Sequence, residues 1–376
     1  MVVKLNPKPA GHSAQPTTTR QTNRPGDRPT GPLQFSAAKG RVMQAFASLK
    51  NALLHRRPPV GPHPTFQPTR TGLRGRTTNN LLDVRNIVFG HAEDRRCNTS
   101  VTSLKSEIRK FVPNADIRVN TSLQVPSGHG PSLDGFSVSA SANSDRLDTS
   151  KPVVLFLSGS GGTSEAYGGH IAGRYAGQHD CNVLALNYRG YGQNTAFSPS
   201  EKSITQDGFA MINHLLQQGF QPEQIIVHGY SLGASVASRI QLSVESRGFA
   251  LGGAVYDRPM SSATDSAKAA ARQEGYGDFV GSIASFGTQV TVGKMSARRN
   301  LEDIIASNPE HALRSPTVLV SDTGLFGSHS HQMGVDLGIQ HIAQTGHEHE
   351  EHGPAMDAIL QQGRLSGILK QPPAQG

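Results

Sequence analysis

Residues 225–240, "IIVHGYSLGASVASRI", change character halfway along, and the join decides the fold. Ile225 to Val227 form a short apolar run suited to a buried strand, and from Leu232 onward small residues suit a helix. Ser231 sits between the two, with Gly229 and Gly233 two positions away on either side. A serine on so sharp a strand-to-helix turn is held in a strained backbone conformation. Its neighbours at that spacing must be small, or strand and helix collide. Ser231 is therefore a candidate nucleophile on a G-x-S-x-G elbow. The alternative is a serine that only caps a helix. In a chain with 41 glycines the five-residue pattern also arises by chance, so the flanking sequence has to decide.

Outward from the elbow, short apolar runs alternate with helical stretches. "VVLFLSG" (153–159) precedes a helix near 164–178, and "NVLALNY" (182–188) precedes one near 203–217. "QIIVHGY" enters the elbow, and "GGAVYD" (252–257), "TVLVSD" (317–322) and "IQHIAQ" (339–344) follow. Strands separated by helices predict an α/β fold with a mostly parallel central sheet, helices on both faces and functional groups at the carboxyl ends of the strands. Before them, residues 115–142 alternate apolar and polar across a Gly/Ser/Pro turn, as an antiparallel pair does. About 60 residues separate Asp257 from Thr317, too many for a simple crossover, which predicts a small cap insertion over 258–315. No internal repeat is visible.

The charge is concentrated at one end. Residues 1–80 carry 13 Lys and Arg against one acid, Asp27, while the remainder carries 23 basic and 27 acidic residues. The first segment thus carries a net +12 and the remainder −4, so the basic character does not belong to the whole protein and argues against reading it as a nucleic-acid binder, the more so as only Phe35, Phe46 and Phe66 accompany the basic residues. Residues 1–80 read as a disordered basic segment and 81–369 as the folded domain. Within the first, residues 36–57 place Val42, Phe46, Leu49 and Leu53 on one helical face ringed by Lys and Arg. Such a helix suits an anionic membrane surface or a partner such as a secretion chaperone, or packing on its own domain. The opening residues have no apolar core of a secretory signal, and no run is long enough to span a membrane. Cys97 and Cys181, the only cysteines, form no framework and read as free thiols.

A serine hydroxyl needs a base, an orienting acid and donors for the developing oxyanion. His347 follows Gly346 directly beyond the last strand, the expected place for the base, with His349 and His352 as alternatives in "HEHEEH" (347–352). One oxyanion donor is the Leu232 amide at the start of a helix, and the other belongs to the glycine-rich loop after the first parallel strand, "LFLSGSGGTSEAY". A zinc site is disfavoured, because the histidines at 329–352 match neither H-E-x-x-H nor H-x-x-E-H and have no Cys partners. No cofactor is needed.

From about Val153 to about Gly353 the chain resembles the α/β-hydrolase superfamily, most of all its compact esterase and depalmitoylase branch. The segments that carry the resemblance are "SGSGG" (158–162), "NYRGYG" (187–192), "SPSE" (198–201), "GYSLG" (229–233) and "RSPTVLVSD" (314–322). It implies a Ser–acid–His triad, and it makes Ser160 the second oxyanion donor. Ser158 stands where that branch usually has His. The usual acid position aligns with Leu325, with Asp322 three residues early, and Asp257 at the end of the preceding strand is the other candidate acid. The resemblance therefore implies a serine hydrolase of an ester or thioester bearing an acyl chain, or else an inactive hydrolase fold used as a binding module. The basic segment ahead of an enzyme-like domain also resembles the layout of bacterial type III secreted effectors, which implies delivery into a host cell.

Overall fold

The computed structural model describes residues 88–89, 93–96, 99–112, 117–128, 130–141, 146–260, 262–265, 268, 295–321, 327–343, 357–358 and 361, and every structural statement below concerns these. The chain divides after Thr69 into two units, the first lying wholly outside the described residues. So do the helix expected at 36–57, Cys97, residues 269–294 of the expected cap, and the C-terminal run of Glu and His.

The second unit is built on one sheet of eight strands: β1 (Arg118–Val125), β2 (Leu133–Ser139), β3 (Val153–Leu157), β4 (Asn182–Leu186), β5 (Ile225–Tyr230), β6 (Gly253–Asp257), β7 (Thr317–Ser321) and β8 (Gln340–Ala343). Their order is β1-β2-β4-β3-β5-β6-β7-β8. The first two pairings are antiparallel and all the others parallel. Every residue of β3, β4, β5, β6 and β7 is buried, as expected of parallel strands covered on both faces.

Alternate residues of each strand feed two separate cores. Val153, Leu155 and Leu157 of β3 join one cluster, while Val154 and Phe156 join the other. The first cluster is completed by α3 (Glu201–Gln217), through Ile204, Met211 and Leu215, and by α4 (Leu232–Glu245), through Val236 and Ile240. The second is completed by α1 (Val101–Phe111), through Leu104 and Ile108, and by α2 (Ser164–His179), through Ile171 and Tyr175. The crossover from β6 to β7 contains α5 (Ala297–Ser307), which buries Leu301 and Ile304 against α4 and whose Asn300 Nδ2 donates to Ser238 Oγ at 2.8 Å. Helix α6 (Gly327–Leu337) lies between β7 and β8.

The ends of β3 to β8 agree with the sequence reading to within two residues, and the stretch 115–142 expected to hold an antiparallel pair contains β1 and β2 with three residues over at each end. The sequence reading had not assigned α1 or α6, and α5 falls inside the stretch read as a cap.

Candidate active site

All the strands from β3 to β8 run parallel, so their carboxyl ends meet along one rim of the sheet, where Ser231 follows Tyr230 of β5 directly. Its backbone has φ 50° and ψ −109°, and that left-handed φ is costly for any residue with a Cβ. Both flanking glycines are dictated by contact. A Cβ on Gly233 would fall 2.0 Å from the Leu157 carbonyl oxygen, and one on Gly229 would fall 2.4 Å from the Gly233 carbonyl oxygen. The strained turn has no room for larger residues, as the spacing predicted.

The turn is pinned from the neighbouring strand, where the Asp257 carbonyl at the end of β6 accepts the Ser231 N–H at 2.8 Å. The loop after β3 lies alongside, since an ideal Cβ on Gly159 would stand 3.4 Å from Ser231 Cβ and 2.8 Å from the Tyr230 ring. Ser160 follows in that loop, half-buried. Among the described residues neither the Leu232 nor the Ser160 amide has a hydrogen-bond partner. Leu232 supplies one of the unpaired donors that every helix start presents. The Ser158 hydroxyl, where the related branch usually carries His, is buried without a hydrogen-bond partner.

Tyr167, on the first turn of α2, was not singled out by sequence. Its ring crosses the glycine-rich loop after β3, where a Cβ on Gly162 would meet it at 2.7 Å, and it packs on Tyr230 with centroids 5.6 Å apart. Burial, and after it the Asp94 carboxylate, raise its phenol above the ordinary value, so it stays protonated. The loop after β4 is fixed by ionic and amide contacts. Arg189 Nε donates to the buried Asp207 of α3 at 2.7 Å, and its backbone N–H donates to the same carboxylate at 2.8 Å. Asn187 Nδ2 donates to Asp134 of β2 at 2.9 Å, while its Oδ1 accepts the Ser164 N–H at 2.8 Å and so orients the start of α2.

The two candidate acids are placed differently. Asp322 and His347 lie outside the described residues, as do His349 and His352. Asp257 is fully buried, accepting from Arg258 Nη1 at 2.8 Å and from His228 Nε2 at 3.3 Å. The other ring nitrogen of His228 meets the Tyr175 hydroxyl. Burial, with Asp257 as the next cause, holds that phenol well above its usual range, so it donates to Nδ1. The histidine proton then sits on Nε2, facing the carboxylate. Arg258 is itself strained, with φ 47°, and its amide donates to the Val320 carbonyl at 2.8 Å. Among the described residues no group of three or more His, Cys, Asp or Glu is arranged to hold a metal ion.

The sheet order, the helices on both faces and the elbow at the end of β5 are those of the α/β-hydrolase fold. Residues 154–335 match the model of the alpha/beta hydrolase family, and the chain carries the α/β-hydrolase fold. Among curated proteins it is 33% identical over 210 residues to a multifunctional-autoprocessing repeats-in-toxin of Vibrio vulnificus, a match covering 56% of this chain. It is 29% identical over 127 residues to the lysophosphatidylserine lipase ABHD12 of Danio rerio, covering 32% of this chain. The chain spans only 4% of the first relative's length and 31% of the second's. A crystal structure of an alpha-beta hydrolase (ABH) from Vibrio vulnificus superposes with a TM-score of 0.52 at 25% identity, covering 82% of this chain and 98% of that one.

Proposed function

We propose that the protein is a serine hydrolase that cleaves an acyl-bearing ester or thioester through an acyl-enzyme. The observation that carries this is Ser231, held at φ 50° between two glycines whose replacement the packing forbids. Backbone strain of this kind is kept where it presents a side chain for chemistry. Ser231 Oγ attacks the carbonyl carbon while His347 takes its proton, and the Leu232 and Ser160 amides hold the tetrahedral oxyanion. Collapse expels the alcohol or thiol, which leaves with the proton from His347. Water then repeats the sequence and frees the acid.

Asp322 is the orienting acid in this reading. Supporting it over Asp257 is the engagement of the Asp257 carboxylate by Arg258 and His228, which makes Asp257 a brace for the nucleophile's backbone. The similarity to lysophosphatidylserine lipase ABHD12 favours a lysophospholipid as the first substrate to try. The similarity to the Vibrio vulnificus toxin favours a role in virulence. We read residues 1–80 as the delivery segment of a secreted effector, with 36–57 serving a chaperone or an anionic membrane.

A fluorophosphonate probe tests the assignment. The wild-type protein should be labelled and Ser231→Ala should not. A folded wild-type protein that resists labelling would favour the inactive binding module instead.

A further inference from the structure

Arg95 is a buried cation that nothing in the proposed reaction uses. It is 9% exposed, and among the described residues neither its Nε nor its Nη1 has a hydrogen-bond partner. Its guanidinium carbon lies 5.7 Å from the centroid of the Tyr191 ring. An aromatic face attracts the charge but offers no acceptor in the plane of the N–H bonds, and the attraction is small beside the cost of desolvating an unpaired guanidinium. The neighbouring acid, Asp94, is exposed and forms no ion pair with it. A structural arginine in this protein looks different. Arg189 is equally buried and meets Asp207, Ser203 and Gln206.

The position of Arg95 points to the site. Its carbonyl accepts the Gly192 N–H at 2.8 Å, and Arg96 bridges to Gly192, so the 93–96 turn is docked on the loop that follows β4. That loop is on the same rim as Ser231. Asp94, on the same turn, acts on the phenol of Tyr167, and Tyr167 lies across Gly161 and Gly162. Tyr167 therefore feels the charge of the Arg95 turn and packs on the glycine-rich loop after β3.

We infer that Arg95 is a specificity-determining residue whose guanidinium receives an anionic group, phosphate or carboxylate, carried by the substrate on the alcohol side of the scissile ester. Guanidinium N–H groups in a planar fork match both oxyanions, and binding one would supply the acceptors that the fold withholds. The inference rests on the serine-hydrolase reading of Ser231 and assigns a substrate class to that site.

The test compares two soluble esters, 1-butyryl-glycerol-3-phosphate and its uncharged counterpart 1-butyryl-glycerol, with the full-length protein. Wild type should favour the phosphate by about tenfold or more in kcat/KM, as expected for a charge-assisted contact. Arg95→Gln should erase the preference and Arg95→Lys should retain part of it. A 1-butyryl-glycerol bearing a succinyl carboxylate in place of the phosphate separates the two anions. A second arm avoids turnover: equilibrium dialysis of the phosphate ester against Ser231→Ala, with and without Arg95→Gln, should show binding lost with the arginine. A third reads stability. Because Arg95 Nε and Nη1 have no partner among the described residues, Arg95→Met should raise Tm by about 2–4 °C rather than lower it. An unchanged preference and unchanged dialysis in Arg95→Gln overturn the inference. So does a fall in Tm, or failure to fold, in all three variants, which would make Arg95 structural. Absence of turnover by wild type with Arg95-dependent binding intact would instead sink the hydrolase reading and leave the anion site standing.

Discussion

The strain at Ser231 can be measured by pairing Ser231→Gly with Ser231→Ala. Both changes remove the hydroxyl, so both should abolish ester hydrolysis and fluorophosphonate labelling. They differ only in the Cβ, which is what makes φ 50°, ψ −109° unfavourable. A non-glycine residue in such a sparsely populated region costs of the order of 1–3 kcal/mol. Glycine removes that cost but gives the unfolded chain more freedom, which offsets about 0.4–1 kcal/mol. The glycine variant should thus be more stable than the alanine variant by roughly 0–2.5 kcal/mol, most plainly near the middle of that range. For a domain of this size a difference of 1 kcal/mol moves Tm by about 2–4 °C, well within reach of a calorimetric or fluorescence melt. Alanine keeps the Cβ, and because Ser231 is only 6% exposed the pair shares the same surroundings. If Ser231→Gly melts clearly below Ser231→Ala, the elbow is not strained, and the argument that the fold holds Ser231 there for its chemistry fails.

Other expectations follow from single contacts. Asp322→Asn should cost on the order of 10⁴ in kcat by presenting the wrong imidazole tautomer. Asp257→Asn should chiefly lower Tm, because it weakens a buried group set between Arg258 and His228; near-wild-type activity in both variants would remove both aspartates from the acid role. Asp207→Ala leaves the Arg189 guanidinium buried without its carboxylate and should destabilise by about 3–5 kcal/mol, read from urea unfolding, and a loss below 1 kcal/mol would contradict the burial of that pair. Deleting residues 1–80 should leave hydrolysis of p-nitrophenyl esters unchanged while abolishing delivery into a host cell; loss of folding would show that the segment belongs to the catalytic domain.

The strands were legible because residues such as Val153–Leu157 and Ile225–Val227 are apolar on both faces, and helices of moderate polarity separate them. Helix α1 carries a signal that the strand-by-strand reading passes over: Val101, Leu104, Ile108 and Phe111 recur at helical spacing behind a Ser100 cap, in a stretch that precedes the strand-helix alternation. Helix α6 starts with "GSHSH", where neither composition nor a cap announces a helix. Ser231 was legible for a different reason: a tight turn demands glycine at fixed chain positions, and that demand is local. The environment of Asp257 is set by His228, 29 residues away, and by Tyr175 through that histidine, and no spacing rule encodes such contacts. Arg95 is conspicuous only once its missing partners can be counted.

The two-sided burial of the central strands has a consequence for how the chain finds its fold. Where one face of a sheet is wet, a strand that pairs one residue out of step turns its apolar set to water, and the error is rejected at once. Here Val153, Leu155 and Leu157 fill one core and Val154 and Phe156 the other, so a slipped β3 would still bury oil on both sides. Proofreading must come from contacts that tolerate only one alignment. Several of these lie along the proposed catalytic rim: Gly233 against the Leu157 carbonyl, the Ser231 amide on Asp257, and Asn187 joined to Asp134. The rim that presents the serine thus also serves as the alignment key for assembly, so lesions there should produce misregistered, aggregation-prone chains as well as inactive ones.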